Sequence, residues 1–133
     1  EALIEQLGLR DRIRFVGDAS HEQINRLYAE SAVAVVPSLY EGFGLPAVEA
    51  MAAGIPLVST DGGALKEVVG EGGLQVRAGD SAALADAMQR VLSDSELAQA
   101  LAQRGLARAR QQFCWSVCAG QMVDLYRVSI AAC

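Results

Sequence analysis

Two carboxylates flank a glycine-rich turn in the segment SLYEGFGLPAVEAM, which runs from Ser38 to Met51. Glu41 precedes the turn and Glu49 follows it, although most of the neighbouring side chains are apolar. Carboxylate oxygens accept hydrogen bonds from neighbouring hydroxyl groups such as those of a ribose. A carboxylate can also face positive charge that develops on a sugar during a reaction. This pair therefore indicates a site for a sugar-bearing ligand.

The turn itself has the features of an anion site. Gly42 and Gly44 let the backbone turn tightly and approach a ligand closely. A helix is expected from about Leu45 to Ala53, since a proline follows its first residue and a glycine follows its end. The N–H groups of Phe43, Gly44 and Leu45 would then point out of the helix N-terminus, where they suit a phosphate.

These features together favour a nucleotide-linked sugar as the ligand. The ribose would lie at Glu49, the phosphates at the turn and the donor sugar near Glu41. A structural alternative stays open at this point. A glutamate near a helix N-terminus is stabilising through the helix dipole alone, and a glycine-rich turn before a helix is by itself a weak signal.

The elements that must position the turn alternate between strand and helix periodicity. We predict four strands, followed by helices only, and the strands cover Arg12–Gly17, Ala32–Pro37, Ile55–Thr60 and Leu74–Val76. Such alternation predicts an α/β domain with a parallel sheet. Ligands of open α/β sheets bind at the carboxyl ends of the strands, and the glycine turn follows the second strand directly.

The chain is interpreted as one domain, residues 1–133, and as part of a longer protein. A doubly wound half usually has five or six strands, so one or two further strands are expected upstream. Ser20 and Gln23 are spaced as a capping box, and Asp80 is placed to cap a later helix. These caps predict where two of the helices begin.

Composition narrows the function classes. Hydrophobic residues make up 52% of the 133 residues and charged residues 20%, which is typical of a globular protein. The net charge of -5 argues against binding nucleic acid through bulk charge. No apolar run has the length of a membrane span, and the N-terminus does not read as a signal peptide. A cytoplasmic location is expected, since three cysteines late in the chain fit a reducing compartment.

The motifs also carry a family resemblance over nearly the whole chain. The stretch PSLYEGFGLPAVEAMAAGIPLVST closely resembles the Glu-x7-Glu signature region of the retaining family-4 glycosyltransferases, which have the GT-B fold. LGLRDRIRFVG, EQINRLYAESAVAVVPS, DGGALKEVVGEGGLQVRAGDSAALADAM and FCWSVCAGQMVDLY are similar to the C-terminal, donor-binding domain of the same family. The resemblance implies an incomplete Rossmann-like half of a GT-B enzyme with terminal helices.

The resemblance assigns roles to individual residues. Glu41 matches the signature glutamate beside the donor sugar and its reacting centre, and Glu49 matches the one that binds the ribose hydroxyls. Gly17 and Asp18 match a loop near the nucleobase. The loop whose backbone amides contact the donor sugar and diphosphate matches Gly42, Phe43, Gly44 and Leu45. The family needs no metal or other cofactor, and transfer is described as front-side attack within an ion pair, so Glu41 would act as an electrostatic and positioning residue.

The resemblance also marks what this sequence lacks. The family has an Arg and a Lys upstream that neutralise the diphosphate, and an N-terminal domain that binds a sugar, lipid or polysaccharide acceptor. The 133 residues contain neither, so we expect no transfer by the chain alone. A non-catalytic module that binds a nucleotide or a partner is the alternative. A nucleotide-sugar epimerase of the GT-B fold is disfavoured by the signature.

Two late segments carry further expectations. The last helix has an apolar stripe formed by Trp115, Cys118, Met122, Leu125 and Tyr126. In the GT-B fold this helix crosses back onto the N-terminal domain, so the chain alone is expected to self-associate. The basic residues Arg104, Arg108 and Arg110 are interpreted as a solvated helix face. Peripheral attachment to the inner membrane is considered only for the full-length protein.

Overall fold

A three-stranded parallel sheet forms the centre of the computed structural model, which describes residues 2–131. The strands lie in the order β1, β2, β3 and cover Ala34–Val36, Leu57–Thr60 and Leu74–Val76. Val58 lies opposite both Val35 on β1 and Leu74 on β3, so β2 is the central strand. Because the strands are parallel, their carboxyl ends meet at one edge of the sheet.

Helices connect and cover the strands. In chain order they are α1 (Ala2–Gln6), α2 (His21–Glu30), α3 (Leu45–Ala52), α4 (Leu65–Val69), α5 (Ser81–Ser93), α6 (Ser95–Gln112) and α7 (Trp115–Ala131). Two short 3-10 turns, Arg10–Arg12 and Gly70–Gly72, complete the regular structure. None of the helices within residues 2–131 is long and apolar enough to cross a membrane. The predicted α/β class is confirmed.

The core lies on both faces of β2, which is buried along its whole length. Successive side chains of a strand point to opposite faces, so Leu57 and Val58 enter different clusters. Leu57 packs with α3, α4 and the end of α6, and Val58 packs with α5 and the start of α6. The long helix α6 therefore contacts both layers, since it places Leu101 in one cluster and Ala109 in the other.

The predicted strand at Arg12–Gly17 is wrong, so the sheet has three strands rather than four. Within residues 2–131 the segment pairs with no strand of the sheet. A strand is stable only when its N–H and C=O groups join a ladder and one face is buried. Neither condition holds here. The segment joins no ladder of the described residues, and it is not buried, since Phe15 is 71% exposed and Val16 is 48% exposed.

The two helix starts predicted from Ser20 and Asp80 are confirmed. Ser20 accepts a hydrogen bond from the backbone N–H of Gln23, whose side chain accepts one from the N–H of Ser20. Asp80 accepts from the N–H of Ala83 and begins α5. Each cap satisfies N–H groups that have no partner inside the helix, which explains why these starts could be located from the sequence.

Helix α7 contributes nothing to the core. None of its residues is buried, and the exposed fraction of the Trp115 side chain is 88%. The exposure of the stripe predicted on this helix is confirmed, since Cys118, Met122, Leu125 and Tyr126 are also exposed.

Candidate functional site

The glycine-rich turn lies at the carboxyl end of β1 and begins α3, as the sequence predicts. Gly44 precedes the helix with φ 91° and ψ 49°, in the left-handed region that side chains other than glycine rarely adopt. A Cβ at this position would also lie 2.7 Å from Cδ2 of Leu65. The N–H groups of Gly42, Phe43, Gly44 and Leu45 have no hydrogen-bond acceptor within residues 2–131. The turn therefore presents free donors at a helix N-terminus.

Glu41 is fixed at the start of the turn by three neighbours. It forms a single parallel bridge with Gly63, and its carbonyl oxygen accepts a hydrogen bond from the N–H of Ala64 at 2.9 Å. Ser38 Oγ donates to Glu41 Oε1 at 2.8 Å. Its other carboxylate oxygen, Oε2, accepts no hydrogen bond from the described residues. The half-buried side chain of Glu41 is thus held by one oxygen and keeps the other available.

Glu49 lies in the second turn of α3 and is exposed. Tyr28 on α2 reaches it, with 3.4 Å between the Tyr28 hydroxyl oxygen and Glu49 Oε2. The same hydroxyl lies 3.5 Å from the carbonyl oxygen of Pro46. Burial raises the pKa of Tyr28, and the negative charge of Glu49 and the hydrogen bond to it raise it further. The phenol therefore stays a neutral donor that orients the Glu49 carboxylate.

Gly17 and Asp18 lie in the segment that precedes α2. Gly17 lines a cavity of about 600 Å³ between its own segment and α2, and no residue of 41–49 belongs to the wall of that cavity. Asp18 is the one non-glycine residue of the described chain with positive φ, at 49°. The turn and Glu41 lie together at the sheet edge, and Glu49 lies on the helix that the turn begins. The assignment of Gly17 and Asp18 to the nucleobase loop stays a prediction.

The second loop that supports the turn was missed by the sequence interpretation. Thr60, at the end of β2, donates a hydrogen bond from its hydroxyl to the carbonyl oxygen of Ser38. Gly62 and Gly63 lie against the backbone of Leu39 and Glu41, where any Cβ would collide with carbonyl oxygens. A glycine pair one residue after a buried strand is the signal that could have located this contact, because it falls at the same sheet edge.

The site has no evident metal centre of its own. Across residues 2–131 no three or more His, Cys, Asp or Glu side chains are grouped so that they could hold a metal ion. The groups that the described residues of the site offer to a ligand are the backbone N–H groups of the turn and the carboxylates of Glu41 and Glu49. Such groups can bind a phosphate and hydroxyl-bearing rings on either side of it.

The fold is that of a Rossmann-like α/β domain, and the candidate site lies at the carboxyl edge of its sheet. The family described as "Glycosyl transferases group 1" matches residues 1–108, and the chain belongs to this family. The resemblance noted in the sequence is thereby confirmed at the level of the family. Its narrower assignment to the retaining family 4 stays a prediction.

Individual relatives agree with this assignment. An MMP alpha-(1->4)-mannosyltransferase of Mycolicibacterium hassiacum is 41% identical over 98% of this chain and 33% of its own length. A sucrose-phosphate synthase from Thermosynechococcus elongatus has a TM-score of 0.86 and 42% identity, covering 99% of this chain and 34% of its own. HepE from Anabaena, solved in complex with UDP-glucose, has a TM-score of 0.85 and 28% identity over 96% of this chain and 35% of its own. The chain thus spans about a third of the length of these relatives.

Proposed function

We propose that this chain is the donor-binding domain, residues 1–133, of a glycosyltransferase that transfers a sugar from a nucleotide sugar to an acceptor with retention. The observation that carries the proposal is the turn at Gly42–Leu45. Its free N–H groups lie at the N-terminus of α3 between two carboxylates. Membership of the glycosyl transferases group 1 family supports the proposal, as does the UDP-glucose complex of HepE.

Each group of the site has a defined task in this proposal. The N–H groups of the turn bind the diphosphate, where the helix dipole favours negative charge. Glu49, oriented by Tyr28, accepts hydrogen bonds from the ribose hydroxyls. Gly17 and Asp18 belong to the loop near the nucleobase. No metal or other cofactor is required.

Glu41 acts on the donor sugar. Since Ser38 occupies Oε1, Oε2 is the atom that accepts a sugar hydroxyl or faces the positive charge that develops as the bond to the diphosphate breaks. A preorganised charge in this position stabilises the transition state more than the ground state. Glu41 is therefore an electrostatic and positioning group in front-side attack. Cations that neutralise the departing diphosphate, and the acceptor site for a sugar, lipid or polysaccharide, come from the rest of the parent enzyme.

The activity test uses the full-length parent with UDP-, GDP- and ADP-sugars. We expect Glu41→Gln to lower kcat by at least about a hundredfold, the scale of losing one electrostatic contact to a transition state. Glu71→Gln is the matched control, because Glu71 is exposed and forms no ion pair within the described chain. Retention is read from the anomeric configuration of the product by NMR. Full activity of Glu41→Gln, an inverted product, or turnover by the 133-residue chain alone would each contradict part of the proposal.

The exposed helix α7 supports a second part of the proposal. Its apolar side chains cover another domain in the parent, and in the isolated chain they cause self-association. Sedimentation of the isolated chain should show oligomers that Trp115→Ser with Tyr126→Ser dissociates, since both residues are at least 60% exposed. A strictly monomeric chain at high concentration would refute self-association. The cytoplasmic location, with peripheral attachment of the parent to the inner membrane, stays a prediction.

A further inference from the structure

Arg108 does not belong to the solvated face to which the sequence interpretation assigned it. Its Nε donates to the carbonyl oxygen of Val68 at 2.8 Å, and its Nη2 donates to that of Glu67 at 2.6 Å. These carbonyls belong to the last turn of α4, where helix carbonyls lack partners inside the helix. Arg104 and Arg110 are exposed as predicted. Of these three arginines, only Arg108 donates hydrogen bonds from α6 to the end of α4.

The same guanidinium group lies over an aromatic pair that leads to the glycine turn. Cζ of Arg108 is 6.0 Å from the centroid of the Phe113 ring. The Phe113 ring in turn meets the Phe43 ring edge to face, with centroids 5.8 Å apart and an interplanar angle of 86°. This is a favourable geometry for two aromatic rings. The contacts thus run from the end of α4 through Arg108 and Phe113 to the middle of the turn.

The middle of the turn has few other anchors. Glu41 is fixed at its start by Ser38 and Ala64, and Gly44 is fixed at its end by the helix. Between them, a Cβ on Gly42 would meet nothing within 4 Å. Phe43 is 46% exposed, so its ring is only partly covered by the chain. Its edge-to-face contact with the Phe113 ring is an anchor for this part of the turn.

We propose that Phe113, held by Arg108, is a positioning residue for the donor site, because it fixes Phe43 and so aims the N–H groups of residues 42–45 at the diphosphate. The identity of the ligand rests on the function proposed above. The effect of Phe113 on the order of the turn does not rest on that function, because it is a property of the unliganded chain. A residue that acts in this way shapes the anion site without contacting the donor.

The test measures order and affinity separately on the 15N-labelled chain. We expect Phe113→Leu to lower the amide order parameters of Gly42 and Phe43 from about 0.85 to below about 0.6 without ligand. UDP, titrated by NMR, should bind roughly three- to tenfold more weakly, the scale of one aromatic pair. Phe113→Tyr keeps the ring and should restore both values. Trp115→Leu, a change of the same kind at a residue 88% exposed, should alter neither.

Two further variants test the role of Arg108, and one more variant covers the case in which Phe113→Leu does not fold. Arg108→Gln should lower the same order parameters, whereas Arg104→Gln on the same helix should not. Phe43→Leu removes the ring pair from its exposed side and should disorder the turn as Phe113→Leu does. Unchanged order parameters in Phe113→Leu, or in Phe43→Leu if the former is unfolded, would overturn the positioning role. Failure of UDP to bind the unaltered chain would instead count against the proposed function.

Discussion

The carboxyl edge of β1 and β2 differs from α7 in how its conformation is fixed. At the sheet edge, Glu41, Gly63 and Thr60 hold two loops together through backbone and side-chain contacts. Helix α7 is formed by its own backbone hydrogen bonds and buries none of its side chains. The first region is determined by contacts within this chain, and the second presents an apolar surface that a partner can cover. Substitutions should therefore have opposite consequences in the two regions.

The largest difference is expected between a leucine of the central strand β2 and a leucine of α7. Leu57→Ala removes a side chain that is 0% exposed and leaves a cavity, which should lower the free energy of unfolding by about 2 to 5 kcal/mol. Leu125→Ala, at a residue 59% exposed on α7, should change it by less than about 0.5 kcal/mol. Urea unfolding followed by circular dichroism measures both. A comparable loss in Leu125→Ala would show that α7 is packed after all.

Substitutions at two glycines of the turn should distinguish an effect on stability from an effect on UDP binding. Gly44→Ala meets a positive φ and the side chain of Leu65, so it should cost about 1 to 3 kcal/mol of stability. Gly42→Ala meets open space and should change stability by less than about 0.5 kcal/mol. It should nevertheless weaken UDP binding, because in the proposed site the added methyl group would lie against the diphosphate. Equal losses of stability in the two variants, or UDP binding unaffected by Gly42→Ala, would refute this distinction.

Two hydroxyls on β2 give the smallest expected difference. Thr60→Val removes the hydrogen bond to Ser38 and should cost about 0.5 to 1.5 kcal/mol. The hydroxyl oxygen of Ser59 is buried and has no hydrogen-bond partner within the described chain. Ser59→Ala should therefore be neutral or stabilising by up to about 1 kcal/mol. Thermal unfolding of both variants shows which of them is less stable. A larger loss of stability for Ser59→Ala than for Thr60→Val would mean that the Ser59 hydroxyl is in fact hydrogen-bonded.

The sequence predicts best those elements that local chemistry determines. Glu41, the glycines and α3 were located correctly because a turn before a helix follows from neighbouring residues. β2 was found from its apolar, β-branched run, and α5 from its cap at Asp80. The position of Glu41 and of the start of α3 at the carboxyl edge of the sheet follows from the order of elements alone.

Contacts between distant segments could not be predicted in the same way. Arg108 reaches Glu67 and Val68 across about 40 residues, and its charge alone is more typical of a solvated face. The segment around Phe15 alternates as a strand does, but a ladder needs a neighbour that residues 2–131 do not supply. The sequence pattern shows which secondary structure a segment is compatible with, and contacts with distant segments determine whether that structure forms.

The most direct test of the central claim is an NMR titration of the 15N-labelled chain with UDP. We expect the amide signals of Gly42, Phe43, Gly44 and Leu45 to shift together. Glu49→Ala should weaken binding roughly ten- to a hundredfold, the scale of hydrogen bonds to a charged group, whereas Glu71→Ala should leave it unchanged. Shifts confined to other parts of the chain, or equal affinity in Glu49→Ala and the unaltered chain, would contradict a donor site at this turn.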